Sequence, residues 1–193
     1  MAKENIQDIK KQQTFVMIKP DGVARGLIGE IISRLEKKQL KIVAMKMLQA
    51  TQDQIQKHYP ADDDVWVTRL GTKSLGTFSE NGLDAKDFLG TDQPHEIGKK
   101  VLEYLINYMT RGPILIMVVQ GVNAIDMVRK IVGDTIPAKA ALGTIRGDYS
   151  IETPFLANIE TRPMYNIIHA SETLEESEKE IALWFDASEI TVQ

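Results

Sequence analysis

The 193-residue chain has three histidines, His58, His95 and His169, and no cysteine. The histidine separations match no common ligand spacing, which argues against a protein-held transition metal. His169 has the informative setting: it closes the apolar run Asn166-Ile167-Ile168 and precedes a capped helix. A polar side chain at such a strand end often faces a ligand crevice in an open α/β sheet. From local context alone a hydrogen-bonded core histidine is the commoner outcome. Lys19 also ends a buried strand, directly before Pro20-Asp21-Gly22. Arg129 follows Ile125 by one helical turn, so its stem would be partly covered. Arg146 stands between Gly143 and Gly147, where small neighbours permit close approach to a ligand. Each cation by itself reads as a surface group. Together with His169 they would form a positive crevice suited to a polyphosphate, although their spacing in the chain does not bring them together.

The elements that must position them alternate. Thr14 to Lys19 reads as a strand, about 25–38 as an amphipathic helix, and Lys41 to Gln49 as a second strand. Residues 52–59 suit a short helix. Residues 60–98 show little periodicity and read as an irregular insertion. There Asp62 to Asp64 suggests a solvated acidic turn, and Trp66, Phe78 and Phe88 suggest a small separate core. Leu102 to Met109 marks a helix, Ile114 to Val119 the strongest strand, and Val122 to Val132 another helix. Residues 134–165 again read as irregular. A short strand is predicted at 165–168, then a helix from Thr173 to Phe185 with Thr173 and Glu176 as a capping box. Strands alternating with helices predict an α/β layer structure.

Composition narrows the classes. Lys and Arg number 23 against 27 Asp and Glu, for a net charge of −4, which argues against nucleic-acid binding through overall charge. With 43% hydrophobic residues the chain is ordinary for a soluble globular domain. The longest apolar run, Ile114 to Val119, is too short for a membrane span. The polar first thirteen residues lack a signal peptide's apolar stretch, so a cytoplasmic location is expected. Residues 14–193 read as one domain with insertions at about 60–98 and 151–164. No phosphate-binding P-loop, nucleophile elbow or dinucleotide-binding glycine pattern is present.

Ile18-Lys19-Pro20-Asp21-Gly22-Val23, followed by Arg25-Gly26-Leu27-Ile28-Gly29-Glu30-Ile31-Ile32, strongly resembles the start of nucleoside diphosphate kinases. Val43 to Lys46, Tyr108 to Pro113, Gly143 to Asp148, Asn166 to Ser171 and Glu178 to Ile181 resemble further blocks of that family, in its order. The resemblance implies a ferredoxin-like α+β fold, a four-stranded antiparallel sheet covered by helices. It implies transfer of the γ-phosphoryl group of a nucleoside triphosphate to a nucleoside diphosphate through a phosphohistidine on His169. Glu180 matches the carboxylate that orients the far ring nitrogen, and Ser171 a serine beside that carboxylate. Arg129 and Arg146 match phosphate-binding arginines, and Thr135 a phosphate-contacting hydroxyl. Lys19 and Asn166 match residues that hold the ribose hydroxyl, Lys19 also lying close to the transferred group. Tyr59 matches a tyrosine lining the site. Mg²⁺ would travel on the nucleotide phosphates rather than in a protein cage. A homo-oligomer, a hexamer or tetramer built from dimers, is also implied.

The sequence departs from the family pattern in three places. The stretch between Tyr59 and Tyr108 is long, and it aligns Val101 with an aromatic that commonly stacks on the base, with Leu105 nearby. The stretch 151–165 is also long. Ala170 replaces a common glycine. A regulatory nucleotide-binding protein without turnover and a phosphohistidine relay to another protein are the rival readings. Retention of His169, Glu180, Lys19, Arg129 and Arg146 weighs against the first.

Overall fold

The computed structural model describes residues 11–191. In chain order its elements are β1 (Gln12–Ile18), α1 (Pro20–Ala24), α2 (Ile28–Lys37), β2 (Lys41–Gln49), α3 (Gln52–His58), α4 (Asp64–Glu80), α5 (Ala85–Leu89) and α6 (Pro94–Thr110). There follow β3 (Pro113–Gly121), α7 (Ala124–Val132), α8 (Ile145–Tyr149), α9 (Pro154–Ile159), β4 (Ile168–Ala170) and α10 (Leu174–Trp184). Short 3₁₀ turns lie at Pro137–Lys139 and Ala187–Glu189. The first ten residues of the polar extension expected at 1–13 lie outside the described residues, and Gln12 and Gln13 are already in β1. No helix among the described residues is long and apolar enough to cross a membrane.

The chain forms two compact units. One comprises the chain up to Gln49, Pro113–Ile151 and the chain from Asn166 onward; the other comprises Ala50–Gly112 and Glu152–Tyr165. The first unit holds the sheet, in the order β2-β3-β1-β4 with every pair antiparallel. This is the ferredoxin-like arrangement. Phe15 to Ile18 of central β1 are fully buried, because the strand is covered on both faces. Val16 and Ile18, with Leu115, Met117 and Val119 of β3, pack against Ile31 and Leu35 of α2 and Val128 and Val132 of α7. Phe15 stacks on Trp184 of α10, ring centroids 6.2 Å apart.

Two expectations shift in this unit. The helix predicted from about 25 begins at Ile28, and Pro20-Asp21-Gly22 opens the short α1, with proline at a position where its missing N–H costs nothing. The last strand begins at Ile168 rather than Tyr165, so His169 lies within it and Asn166 just outside. The reason is Ile167, whose φ of +68° breaks the extended run.

The second unit corrects the larger expectation. Residues 60–98 are mostly helical, in α4, α5 and the start of α6, which begins at Pro94 rather than Leu102. Their pairing depends on missing side chains. A Cβ on Gly71 of α4 would lie 1.8 Å from the Pro94 carbonyl oxygen, and one on Gly98 of α6 1.9 Å from that of Val67. The helix backbones touch there, so glycines replace part of the apolar stripe that periodicity would have registered. Asp63, from the acidic run, caps α4 by accepting the N–H groups of Val65 and Trp66. Phe78, Ala85, Leu89 and Ile97 form a separate apolar cluster, with the Phe88 ring 5.4 Å from Phe78. Trp66 instead stacks beside Tyr59 at 6.1 Å. The stretch 134–165, also expected to be irregular, carries α8 and α9.

Candidate functional site

His169 sits opposite Met17 in the β1–β4 ladder, on the edge strand of the sheet. Its Nε2 is 2.7 Å from Glu180 Oε1, and the Ser171 hydroxyl donates to Glu180 Oε2 at 2.6 Å. Each carboxylate oxygen of α10's Glu180 therefore has a partner, and the residue is buried. With Nε2–H donated to the carboxylate, Nδ1 keeps its lone pair. The imidazole is held well below the ordinary histidine range, first by burial and next by the positive charge of Lys19, while Arg146 and Arg129 push in the same direction. A neutral ring follows at pH 7.

Lys19 and Asn166 face each other from the ends of β1 and the segment before β4. Lys19 Nζ donates to Asn166 Oδ1 at 2.7 Å, and Asn166 Nδ2 donates to the Thr135 carbonyl at 3.1 Å. Burial, helped by Arg146, lowers the Lys19 ammonium to about 8. The segment carrying Asn166 is pinned beneath the helix start. Ile167 donates its N–H to Asp21 Oδ2, and its carbonyl accepts the Lys19 N–H at 2.8 Å. These two bonds hold a β-branched residue at positive φ, a conformation that needs such support. Gly22 makes the approach possible, since a Cβ there would fall 2.9 Å from the Ile167 carbonyl oxygen. The Pro-Asp-Gly triplet thus fixes the chain leading to His169.

Arg146 is buried and committed. Its guanidinium donates to the carbonyls of Asn166, Gly133 and Ile168 at 3.3, 3.0 and 2.6 Å. Three of about five N–H donors are thereby used, and the rest stay available to an anion. Burial lowers its pKa to about 10, so it stays charged near neutrality. Arg129, on α7, is more exposed and pairs with Glu172 at 2.9 Å. Nothing in the sequence marked Glu172 as its partner. Thr135 is exposed, and its carbonyl takes the Asn166 bond.

Lys19, Arg129, Thr135, Arg146, Asn166, His169, Ser171 and Glu180 all belong to the first unit. Tyr59 and Val101 belong to the second. Tyr59 ends α3, with its ring edge-on to His58 at 5.0 Å and stacked by Trp66. Val101 packs against the Phe78 cluster. The charges acting on the His169 ring are those of Lys19, Arg146 and Arg129 against Glu176, whose carboxylate accepts the Glu172 N–H, while Glu180 is engaged by His169 and Ser171. That donor set is cationic and suits phosphate oxygens better than a bare divalent ion.

A family model described as nucleoside diphosphate kinase matches residues 12–65 and 87–190. The chain is 48% identical over 179 residues to a nucleoside diphosphate kinase of Pyrobaculum aerophilum, covering 93% of this chain and 97% of that one. The crystal structure of an NDP kinase from Pyrobaculum aerophilum matches with a TM-score of 0.90 at 45% identity, over 94% of this chain and all of the other. A nucleoside-diphosphate kinase from Borrelia burgdorferi, a transition-state mimic with bound vanadate and ADP, matches with a TM-score of 0.77 at 34% identity, over 96% and 93% of the two chains.

Proposed function

The chain belongs to the nucleoside diphosphate kinase family, phosphotransferases acting between nucleotides, and on that premise we propose that His169 carries the phosphoryl group in this protein. In the first half-reaction Nδ1 attacks the γ-phosphorus of a nucleoside triphosphate. The N–P bond forms as the P–O bond to the departing diphosphate breaks. In the second, an acceptor diphosphate takes the group back through the reverse steps. Glu180, with Ser171 behind it, fixes the ring and stabilises the positive charge that develops on it. Lys19, Arg129 and Arg146 offset the charge on the phosphoryl oxygens, so catalysis is mostly positioning and preorganised charge. Lys19 and Asn166 hold the ribose hydroxyl, and Thr135 adds a phosphate contact.

Mg²⁺ would be held by the nucleotide's phosphates rather than by a ligand set of the protein, and it would draw off part of their charge. We also infer self-association, supported by the edge position of β2 and the exposure there of Met45 and Met47, 52% and 54%. Light scattering on the purified chain would test it, a monomer at micromolar concentration counting against it.

The observation that carries the proposal is the 2.7 Å Nε2–carboxylate bond of a neutral imidazole within the field of three cations. Incubation with [γ-³²P]ATP should leave acid-labile label on the protein, and added GDP should remove it as labelled GTP. His169→Ala should abolish labelling while nucleotide binding persists. Undiminished labelling of that variant would overturn the assignment.

A further inference from the structure

Arg146 can serve a phosphate only if the short turn that carries it stays in place, and that turn has little secondary structure of its own. α8 spans five residues, capped by Thr144 accepting the Gly147 N–H at 3.1 Å. Arg25 donates to the Tyr149 carbonyl at the end of the turn, and a second outside side chain spans it. Arg34, on α2, pairs through its NH1 with Asp148 Oδ2 at 2.6 Å and also reaches the Gly143 carbonyl at 3.2 Å. Its NH2 donates to the Tyr149 hydroxyl at 3.1 Å, and its guanidinium lies 5.0 Å from the centre of the Tyr149 ring. Its Nε is anchored at home by Glu30, at 2.8 Å. Asp148 closes the loop by accepting the Gly143 N–H at 2.7 Å. That bond and Arg34 hold the Asp148 carboxyl below the usual carboxylate range.

The contacts fall on both flanks of Arg146: Gly143 before it, at φ +90°, and Asp148 and Tyr149 after it. Arg34 is only 20% exposed at its side chain, so these bonds are shielded more than a surface pair would be. We propose that Arg34 is a positioning residue for phosphoryl transfer, clamping the 143–149 turn so that the Arg146 guanidinium meets the phosphate in a fixed geometry. Lysine cannot reproduce this, because a single ammonium cannot engage Glu30, Asp148, Gly143 and Tyr149 along a planar fork.

The inference rests on the assignment of Arg146 to phosphate, and a double-mutant cycle separates the two. Arg34→Ala should lower kcat/KM by between about tenfold and hundredfold, as misplacement of a catalytic group does. Arg34→Lys should rescue little. In an Arg146→Ala background, Arg34→Ala should cost less than about twofold more, since the group it positions is gone. Full additivity of the two losses would overturn the proposal, as would wild-type turnover in Arg34→Ala. Wild-type turnover in Arg146→Ala would instead remove the premise. Asp148→Asn carries the same test if Arg34→Ala does not fold: it should lower kcat/KM in the same non-additive way, and additivity there also refutes the clamp.

Discussion

At the edge of the first unit's sheet, side chains are placed by other polar groups; in the second unit, two helices are placed by side chains that are missing. His169 is aimed by Glu180, Glu180 by Ser171, and Asn166 by Lys19. α4 and α6 meet where Gly71 and Gly98 let backbone touch backbone. Substitution in the first region should cost chemistry while the fold persists. In the second it should cost stability.

The largest expected effect is in the first region. Glu180→Ala removes the acceptor of the ring N–H and leaves the imidazole free to rotate and change tautomer. Phosphohistidine formation, followed by rapid quench with [γ-³²P]ATP, should slow by about a hundredfold or more. Far-ultraviolet circular dichroism should stay unchanged. A labelling rate near wild type would break the comparison on that side.

Gly98→Ala probes the other side. The added methyl would fall on the Val67 carbonyl oxygen, so α6 must move, at a cost of about 1–3 kcal/mol by the usual scale of overpacking. Gly76→Ala is the control. It stands in the same α4 as Gly71 with open space around it, and alanine there should stabilise by about 0.5–1 kcal/mol. Hydrogen exchange should report lost protection over α4 and α6 in the first variant only. Equal behaviour of the two would mean that the contact does not set the packing.

The same contrast explains what could be read from the sequence. The sheet was legible because Phe15 to Ile18 and Ile114 to Val119 are unbroken apolar runs, as strands covered on both faces are. His169, Lys19, Arg129 and Arg146 could be singled out one by one, but only the ordered resemblance joined them, since hydrogen bonds across more than a hundred residues leave no local pattern. Lys19 and Asn166 are 147 positions apart. α4 stayed hidden because its packing face uses Gly71 and Ser74 beside Val67 and Phe78, which flattens the periodicity. Residues 165–167 read as strand by composition, and no propensity announces that Ile167 has positive φ.

A milder effect sharpens the picture through pH. Lys19, lowered from 10.5 to about 8, loses its charge as pH rises through about 8 in the free protein. The kcat/KM profile should therefore fall above that pH, and Lys19→Arg should move the falling limb to higher pH, whatever it does to the maximum. Stability should run the other way. Between about 8 and 10.5 the unfolded chain binds the proton that the folded one has released, so unfolding free energy rises with pH across that window. Activity and Tm moving in opposite directions above pH 8 would be the signature of this buried ammonium. A profile flat to pH 10 would deny it.

The smallest effect concerns Glu172, which is bonded to Arg129. The pair is open to water, with Arg129 40% and Glu172 69% exposed, so it contributes at most about 1 kcal/mol. That weakness fits a temporary partner, because a tightly held arginine would resist transfer to a phosphate. Arg146 shows the alternative: its bonds go to backbone carbonyls, which carry no net charge to compete with an incoming anion. Glu172→Gln should thus tighten nucleotide binding by about twofold to fivefold, measured by calorimetry at low salt, and the gain should shrink as salt screens the competition. Weaker binding in that variant would mean that Glu172 orients Arg129 instead. The edge of the sheet would then be placed wholly by its internal polar contacts, with no residue held in reserve for the ligand.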